Sequence, residues 1–397
     1  MVGLNGGSPA AGSGGTQPRA PEAPDGATAA SGPAPGGSVD PTAFEQLGGW
    51  PGVLSRLLDG QGLTAQEAAC ALGEILSGAA TPAQIAAFVT ALRAKGETVE
   101  EMAGLVRAML DHAEPLPLPW DVVDTCGTGG DRSRSVNVST MAAFVVAGAG
   151  ARVCKHGGRA ASSSAGSADV LEALGVVIDL GPEGVRRCVA EVGMGFCFAP
   201  RFHPAMRHAA PVRRDLGIAT VFNFLGPLAN PARARCQVVG VSELAMAEKM
   251  LGVLAANGAR RAMVVHGSDG LDELSTTGPT TVLELTDPDA RAVSGEDTRV
   301  RRYQVDATEL GLRRASLEEL RGADAAFNAG IVRRVLAGEE GPHRDIVVLN
   351  AAAGLVVAGI ASDLAGGVAA ASAAIDEGRA LAVLEGLVRV SNAVAAG

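Results

Sequence analysis

Between Asp124 and Asp131 the chain reads Asp-Thr-Cys-Gly-Thr-Gly-Gly-Asp, which places Gly127, Gly129 and Gly130 within four positions after a strand-like run. Glycines at that density let a backbone turn tightly and aim N–H groups into one concavity, a geometry suited to a phosphate. The spacing is neither a Walker A loop nor a dinucleotide-binding G-x-G-x-x-G, because Arg132 stands where the third glycine would be. A plain turn is the competing reading of any single glycine run. Here a second polar loop adjoins it: Ser135, then Asn137-Val138-Ser139-Thr140, ahead of the apolar run Met141 to Val146. That order predicts a helix N-terminus, where free N–H groups and the helix dipole favour an anion. A simple Ser/Thr cap is the alternative.

A third cluster follows another strand-like run: Lys155-His156-Gly157-Gly158-Arg159-Ala160-Ala161-Ser162-Ser163, then Gly166-Ser167-Ala168-Asp169, with a helix expected from Asp169 to Leu174. Two cations, a histidine and several hydroxyls on one loop suit the wrapping of phosphates. Taken alone, His156 reads better as a hydrogen-bonded structural histidine. Most of the basic run Arg201, His203, Arg207, His208, Arg213 and Arg214 reads as a solvated helix face. Asp272 and Glu273 follow His266–Leu271 at the expected end of a further strand. Acid pairs commonly face solvent; beside phosphate loops, at the carboxyl end of a strand, they would suit Mg²⁺ instead.

These residues need elements to hold them. The chain has 397 residues, 47% hydrophobic and only 3% aromatic, so its core must be built from Ala, Val and Leu, with 53 Gly allowing close backbones. Thirty-three Lys and Arg against 43 Asp and Glu leave a net charge of −10, which argues against nucleic acid as a partner and permits one small anion in a local pocket. The six cysteines are dispersed and form no C-x-x-C, so a reduced, cytoplasmic protein is expected. No apolar run is long enough for a membrane span, and the N-terminus has no secretory pattern.

Residues 1–40, rich in Gly, Pro, Ala and Ser, are expected to be a disordered tail. Residues 41–114 read as a small helical domain. Thr64-x-x-Glu67 and Thr98-x-x-Glu101 are capping boxes, Thr81-Pro82 opens a helix, and Gly78 and Gly96 stand at helix ends. After the proline hinge Pro115–Pro119, short apolar runs at Val122-Val123, Val153-Cys154, Val238–Val241, Met263–Val265 and Val282-Leu283 mostly alternate with helix-length spacers. That is the pattern of a sheet covered on both faces, an α/β domain over 120–397. The Ala-rich stretch Leu349 to Val394 reads as helical.

In order along the chain stand Gly127–Asp131, Asn137–Thr140, Lys155–Ser163, Gly166–Gly175 (GSADVLEALG), Phe222–Pro231 (FNFLGPLANP) and Asp269–Glu273 (DGLDE). Together they resemble the anthranilate phosphoribosyltransferase family over roughly Leu63 to Ala395. The resemblance implies a small all-helical domain, completed by helices from about 200–225, and a large α/β domain with a mixed central sheet flanked by helices. It also implies a homodimer. By the same resemblance, Gly127, Gly130, Asp131, Ser135, Asn137, Val138, Ser139 and Thr140, with Lys155, Ser163 and Ser167, match contacts to phosphoribosyl pyrophosphate. Ser139, Asp272 and Glu273 match ligands of Mg²⁺. Arg213, in Pro211-Val212-Arg213-Arg214, matches the arginine that receives the anthranilate carboxylate, and His156 lines the same tunnel. Lys155, Arg213 and His156 are thereby the expected catalytic set. Gly158 departs from the family, which usually has Asn there; this keeps open a phosphoribosyltransferase acting on a different aromatic acceptor. A nucleoside phosphorylase and a non-catalytic nucleic-acid-binding relative are the further alternatives.

Overall fold

The structure, a computed structural model, describes residues 42–160, 164–286 and 299–397. The expected tail 1–40 and the candidate contact Ser163 lie outside the described residues.

Helices Thr42–Gln46, Gly49–Leu58, Ala65–Leu76, Pro82–Lys95 and Val99–Asp111 open the described chain. Their starts follow local chemistry: Thr64 with Glu67, Thr81 with Gln84 and Thr98 with Glu101 each form a reciprocal capping box. Each such cap contributes about 1 kcal/mol. The helices bury Val53, Leu72, Ile75, Phe88, Leu92 and Leu105 in one apolar cluster, which also takes in Val212, Val221, Phe222, Phe224 and Leu225.

Seven strands form one sheet: β1 Val123–Gly127, β2 Val153–Gly157, β3 Met194–Phe198, β4 Cys236–Gly240, β5 Arg261–Gly267, β6 Thr280–Leu285 and β7 Val300–Val305. Their spatial order is β3-β2-β1-β4-β5-β6-β7. The first five are parallel, and β6 pairs antiparallel with both β5 and β7, so the sheet is mixed. Side chains alternate between two cores. Val238, Met263, Val265 and Val282 face the helices Val138–Gly148 and Pro342–Ala358, while Val239, Val264 and Leu283 join the cluster of the N-terminal helices and helix Leu244–Ala256. Burial on both faces explains why these strands read as continuous apolar runs.

Two strands escaped the sequence reading. β3 is Met-Gly-Phe-Cys-Phe with no β-branched residue, and β7 is a largely exposed edge bearing Arg301 and Arg302. Charge on an edge strand discourages pairing with another sheet. The helix expected at Asp169–Leu174 instead spans Ser167–Ala173, with Asp169 as its N3 acid.

The chain moves outward from β1 to β2 and β3 on one side, then resumes at β4 on the other side of β1. A parallel sheet that changes direction this way opens a crevice at the carboxyl ends of the two central strands, here Gly127 and Gly240.

Candidate active site

At that crevice the glycines are required sterically. A Cβ on Gly127 would lie 2.2 Å from Asp272 Oδ2, and one on Gly240 would lie 1.5 Å from the Asp272 carbonyl oxygen. Gly129 and Gly130 take φ of 66° and 81°, in the left-handed region that glycine enters freely. The turn lets Gly129 N–H donate to Asp272 Oδ2 at 2.7 Å. Next, Asp131, Ser133 and Ser135 are half-buried and alternate with exposed Arg132 and Arg134. Ser133 Oγ donates to Asp131 Oδ2 at 2.8 Å and lies 3.1 Å from Ser135 Oγ.

Helix Val138–Gly148 then starts against the same acids. Ser139 N–H donates to Glu273 Oε1 at 3.0 Å, and the buried Thr140 hydroxyl has no partner among the described residues. Beneath them the Lys155 amine, from β2, donates to the Thr125 carbonyl and lies 3.4 Å from Ser139 Oγ. Lys155 is 2% exposed and forms no ion pair among the described residues. A buried cation in direct contact with no carboxylate, though Asp124 and Glu273 feel its charge, suits an anion brought in by a ligand. Asp124 sits deeper, accepting from His156 N–H at 3.1 Å and Asn230 Nδ2 at 2.8 Å; burial pushes its carboxyl up while Lys155 pulls it down.

β5 ends at Gly267, and Asp272 and Glu273 lie on the loop beyond, which folds back over the ends of β1 and β4. Asn350, from helix Pro342–Ala358, pins that loop by accepting from Leu274 N–H at 2.9 Å and donating to the Leu274 carbonyl at 2.8 Å. Asp269 braces it from within, accepting from Ser275 Oγ at 2.6 Å and from the Thr277 hydroxyl. Burial pushes both acids up from the ordinary carboxylate range; Asp131 adds to the rise at Asp272, and Asp272 to that at Glu273. The loop therefore gathers more negative charge than its surroundings compensate. The possible ligands here are all oxygens, the carboxylates of Asp272 and Glu273 with the Ser139 hydroxyl beside them. Those features fit Mg²⁺, which binds through one or two carboxylates and completes its shell with water and phosphate oxygens.

His156 follows Lys155 on β2. His156 is buried with Nε2 unpartnered, its ring 5.2 Å from that of His203. Burial, with the charges of His203 and Lys155, lowers its pKa from 6.5 to about 3, so the ring is neutral. His203 in turn holds the Ala229 carbonyl at 2.9 Å. In the basic run, Arg201 pairs with Glu114 and Arg207 donates to the Pro204 carbonyl. Arg213 differs. It is half-buried, lies 5.3 Å over the Phe222 ring, and has no acidic partner among the described residues; burial lowers its pKa. Gly158 has an ordinary backbone conformation, and a Cβ there would meet only Ala199 Cβ, at 3.9 Å. Ser167 Oγ lies 3.4 Å from the Gly158 carbonyl. Asp169 accepts from Ala160 N–H at 3.0 Å and Gly166 N–H at 2.9 Å.

Around Gly129, Ser139 and Lys155 the structure gathers Gly127, Asp131, Ser135, Thr140, Asp272 and Glu273. Asn137 and Val138 open the same helix, and Asn137 Nδ2 donates to the Ala165 carbonyl at 3.0 Å. The sequence reading missed Ser133, His203, Asn328 and Asn350. The last two are buried amides on the apolar faces of their helices, and a polar residue at such a position was the available signal.

Residues 51–113 match the helical bundle domain of a glycosyl transferase family and residues 120–381 match its a/b domain. Anthranilate phosphoribosyltransferase of Salinispora arenicola is 52% identical over 354 residues, 87% of this chain and 97% of that protein. The crystal structure of the Thermus thermophilus anthranilate phosphoribosyltransferase is similar at 42% identity with a TM-score of 0.79, covering 86% of this chain and 99% of that one. The Saccharomyces cerevisiae enzyme, in complex with phosphoribosyl pyrophosphate and Mg, is similar at 28% identity with a TM-score of 0.75, over 89% of this chain and 97% of that one. The same yeast enzyme has also been solved with 4-fluoroanthranilate.

Proposed function

The chain belongs to the anthranilate phosphoribosyltransferase family, and we propose that it transfers the phosphoribosyl group of 5-phosphoribosyl 1-pyrophosphate to the amine of anthranilate. The products are N-(5-phosphoribosyl)anthranilate and pyrophosphate, in tryptophan biosynthesis. The observation that carries this reading is the buried Lys155, without an ion pair among the described residues, set between the first turn of helix Val138–Gly148 and an acid pair short of positive charge. Such a site takes a polyphosphate together with its divalent cation.

In the reaction the bond from ribose C1 to the pyrophosphate oxygen breaks as the amine lone pair forms the C1–N bond. Negative charge grows on the leaving group, and the Lys155 ammonium stabilises it. The loops Gly127–Ser135 and Asn137–Thr140 fix the ribose and phosphates, with Ser163 and Ser167 as further contacts, so that C1 faces the amine. Asp272, Glu273 and the Ser139 hydroxyl would hold Mg²⁺, which supplies charge neutralisation to the departing pyrophosphate. Arg213 receives the anthranilate carboxylate with its unpaired guanidinium. His156, neutral, offers Nε2 as a polar point on the pocket wall and holds no proton for the reaction. An arylamine is nucleophilic when neutral and sheds its proton after C–N bond formation, so no strong base is needed. A homodimer and a cytoplasmic location belong to the same proposal and rest on the family likeness.

The test is loss of anthranilate fluorescence dependent on both phosphoribosyl pyrophosphate and Mg²⁺. Replacing Asp272 and Glu273 together by Ala should abolish that turnover in a protein that still folds. A double variant that keeps wild-type kcat at limiting Mg²⁺ refutes the metal assignment. Phosphorolysis of uridine or thymidine, with no anthranilate consumed, refutes the reaction itself.

A further inference from the structure

Asn137 occupies the N-cap of helix Val138–Gly148, yet its side chain makes no capping hydrogen bond. Asparagine is among the best N-caps because its side-chain oxygen accepts from first-turn N–H groups. Here that oxygen is taken. Asn328 Nδ2, reaching across from helix Ala325–Leu336, donates to Asn137 Oδ1 at 2.9 Å. Asn328 is 2% exposed, and its own Oδ1 accepts from Ala323 N–H at 2.9 Å, so its amide cannot turn over without leaving that N–H unpaired. The segment ahead of its helix is docked along the substrate loop: Val136 N–H donates to the Leu320 carbonyl at 3.0 Å, and Gly322 N–H to that of Arg134 at 2.8 Å. Gly322 is needed for this approach, since a Cβ there would lie 2.7 Å from Asn328 Oδ1.

The consequence lies at the helix end. The amide of Asn137 is held with its NH₂ edge on the Ala165 carbonyl at 3.0 Å and its oxygen turned away from the helix. Asn137 itself therefore caps none of the first turn, where Ser139 N–H goes to Glu273 Oε1 at 3.0 Å, and the adjacent Thr140 hydroxyl is buried without a partner among the described residues. We propose that Asn328 is a positioning residue for the phosphoribosyl substrate: by occupying Asn137 Oδ1 it keeps the N-terminus of helix Val138–Gly148 open to substrate oxygens. It also leaves one Asn137 N–H as the only donor that side chain can offer. When Asn328 is lost, Asn137 rotates into the vacant cap and competes with the substrate for the same N–H groups. This inference rests on the reading of Asn137 and Thr140 as contacts to phosphoribosyl pyrophosphate.

The variant that isolates the contact is Asn328→Asp, which keeps the acceptor for Ala323 N–H and sets an oxygen against Asn137 Oδ1. Asn328→Ala serves as a second variant, in case the buried carboxylate disturbs folding. Each is measured alone and in an Asn137→Ala background, with KM for both substrates and calorimetric affinity for phosphoribosyl pyrophosphate. The expected result is a rise of about 3- to 10-fold in KM and Kd for phosphoribosyl pyrophosphate, with KM for anthranilate within about 2-fold. That rise should vanish in the Asn137→Ala background, since the effect passes through Asn137. An equal rise for both substrates, or one that persists undiminished beside Asn137→Ala, means Asn328 serves only the fold and overturns the proposal. Asn137→Ala raising KM while both Asn328 variants stay silent overturns it alone. Asn137→Ala leaving KM unchanged overturns it together with the reading of Asn137 as a contact.

Discussion

Arg213→Ala is the most direct probe of the acceptor side. The guanidinium is half-buried over Phe222, its pKa is lowered by that burial, and no carboxylate among the described residues offsets the cost. A cation kept there against desolvation has a use that the free protein does not show. If the use is an acceptor carboxylate, truncation removes a charge-assisted hydrogen bond worth about 1.5–3 kcal/mol. At about 1.4 kcal/mol per decade, kcat/KM for anthranilate should fall by roughly 10- to 150-fold. KM for phosphoribosyl pyrophosphate should move by less than about 2-fold, because Lys155 and the glycine loop are untouched. Stability supplies a second sign. Removing an unpaired, partly desolvated charge should leave Tm unchanged or raise it, whereas loss of a structural ion pair would lower it. The assay is anthranilate fluorescence under varied concentrations of each substrate, with aniline as a control acceptor. Aniline has no carboxylate, so the variant and the wild type should use it equally. A matching loss with aniline, or a parallel loss for phosphoribosyl pyrophosphate, refutes the assignment of Arg213 to the carboxylate.

Gly158→Asn should fold without strain, since the backbone there is not left-handed and the new Cβ meets only Ala199. A restored amide should lower KM for anthranilate by about 2- to 10-fold and hinder ring-substituted acceptors, and unchanged values for both would place residue 158 outside the acceptor pocket. His156 predicts a pH effect on stability. Its folded pKa of about 3 lies below the unfolded 6.5, so the unfolded state binds more protons and stability is lost as pH falls from 6.5 toward 3. By pH 5 the loss from this one group is ~2 kcal/mol, with His203 acting in the same direction. Urea unfolding of His156→Gln should therefore show a flatter decline between pH 7 and pH 5, and an identical slope would mean the ring is not buried neutral.

What could be read before folding was what short-range chemistry decides. A capping box needs only Thr64 and Glu67, and the glycine loop needs only that Gly129 and Gly130 accept positive φ. The resemblance added which residues are expected to serve the substrates. What could not be read depends on contacts across long separations. β3 looks unlike a strand because Gly195 replaces a branched residue, and the reason is a neighbour: a Cβ there would lie 2.7 Å from Val189 Cγ2 of the helix packed on it. The acid pair was visible as Asp272-Glu273, but its place over β1 and β4 follows from Gly127 and Gly240 being too small to block it. Arg213 could not be told from Arg201 or Arg207 by type, and only the pairing of those two elsewhere leaves it free. Asn328 and Asn350 meet their targets across 191 and 76 residues, so no local pattern announces them. Each is a buried amide on the apolar face of its helix, costly there unless every hydrogen bond is met. That cost is the legible part: a polar residue that interrupts a core helix must be satisfied by something, and in this fold the nearest unsatisfied backbone and side-chain groups belong to the loops of the active site.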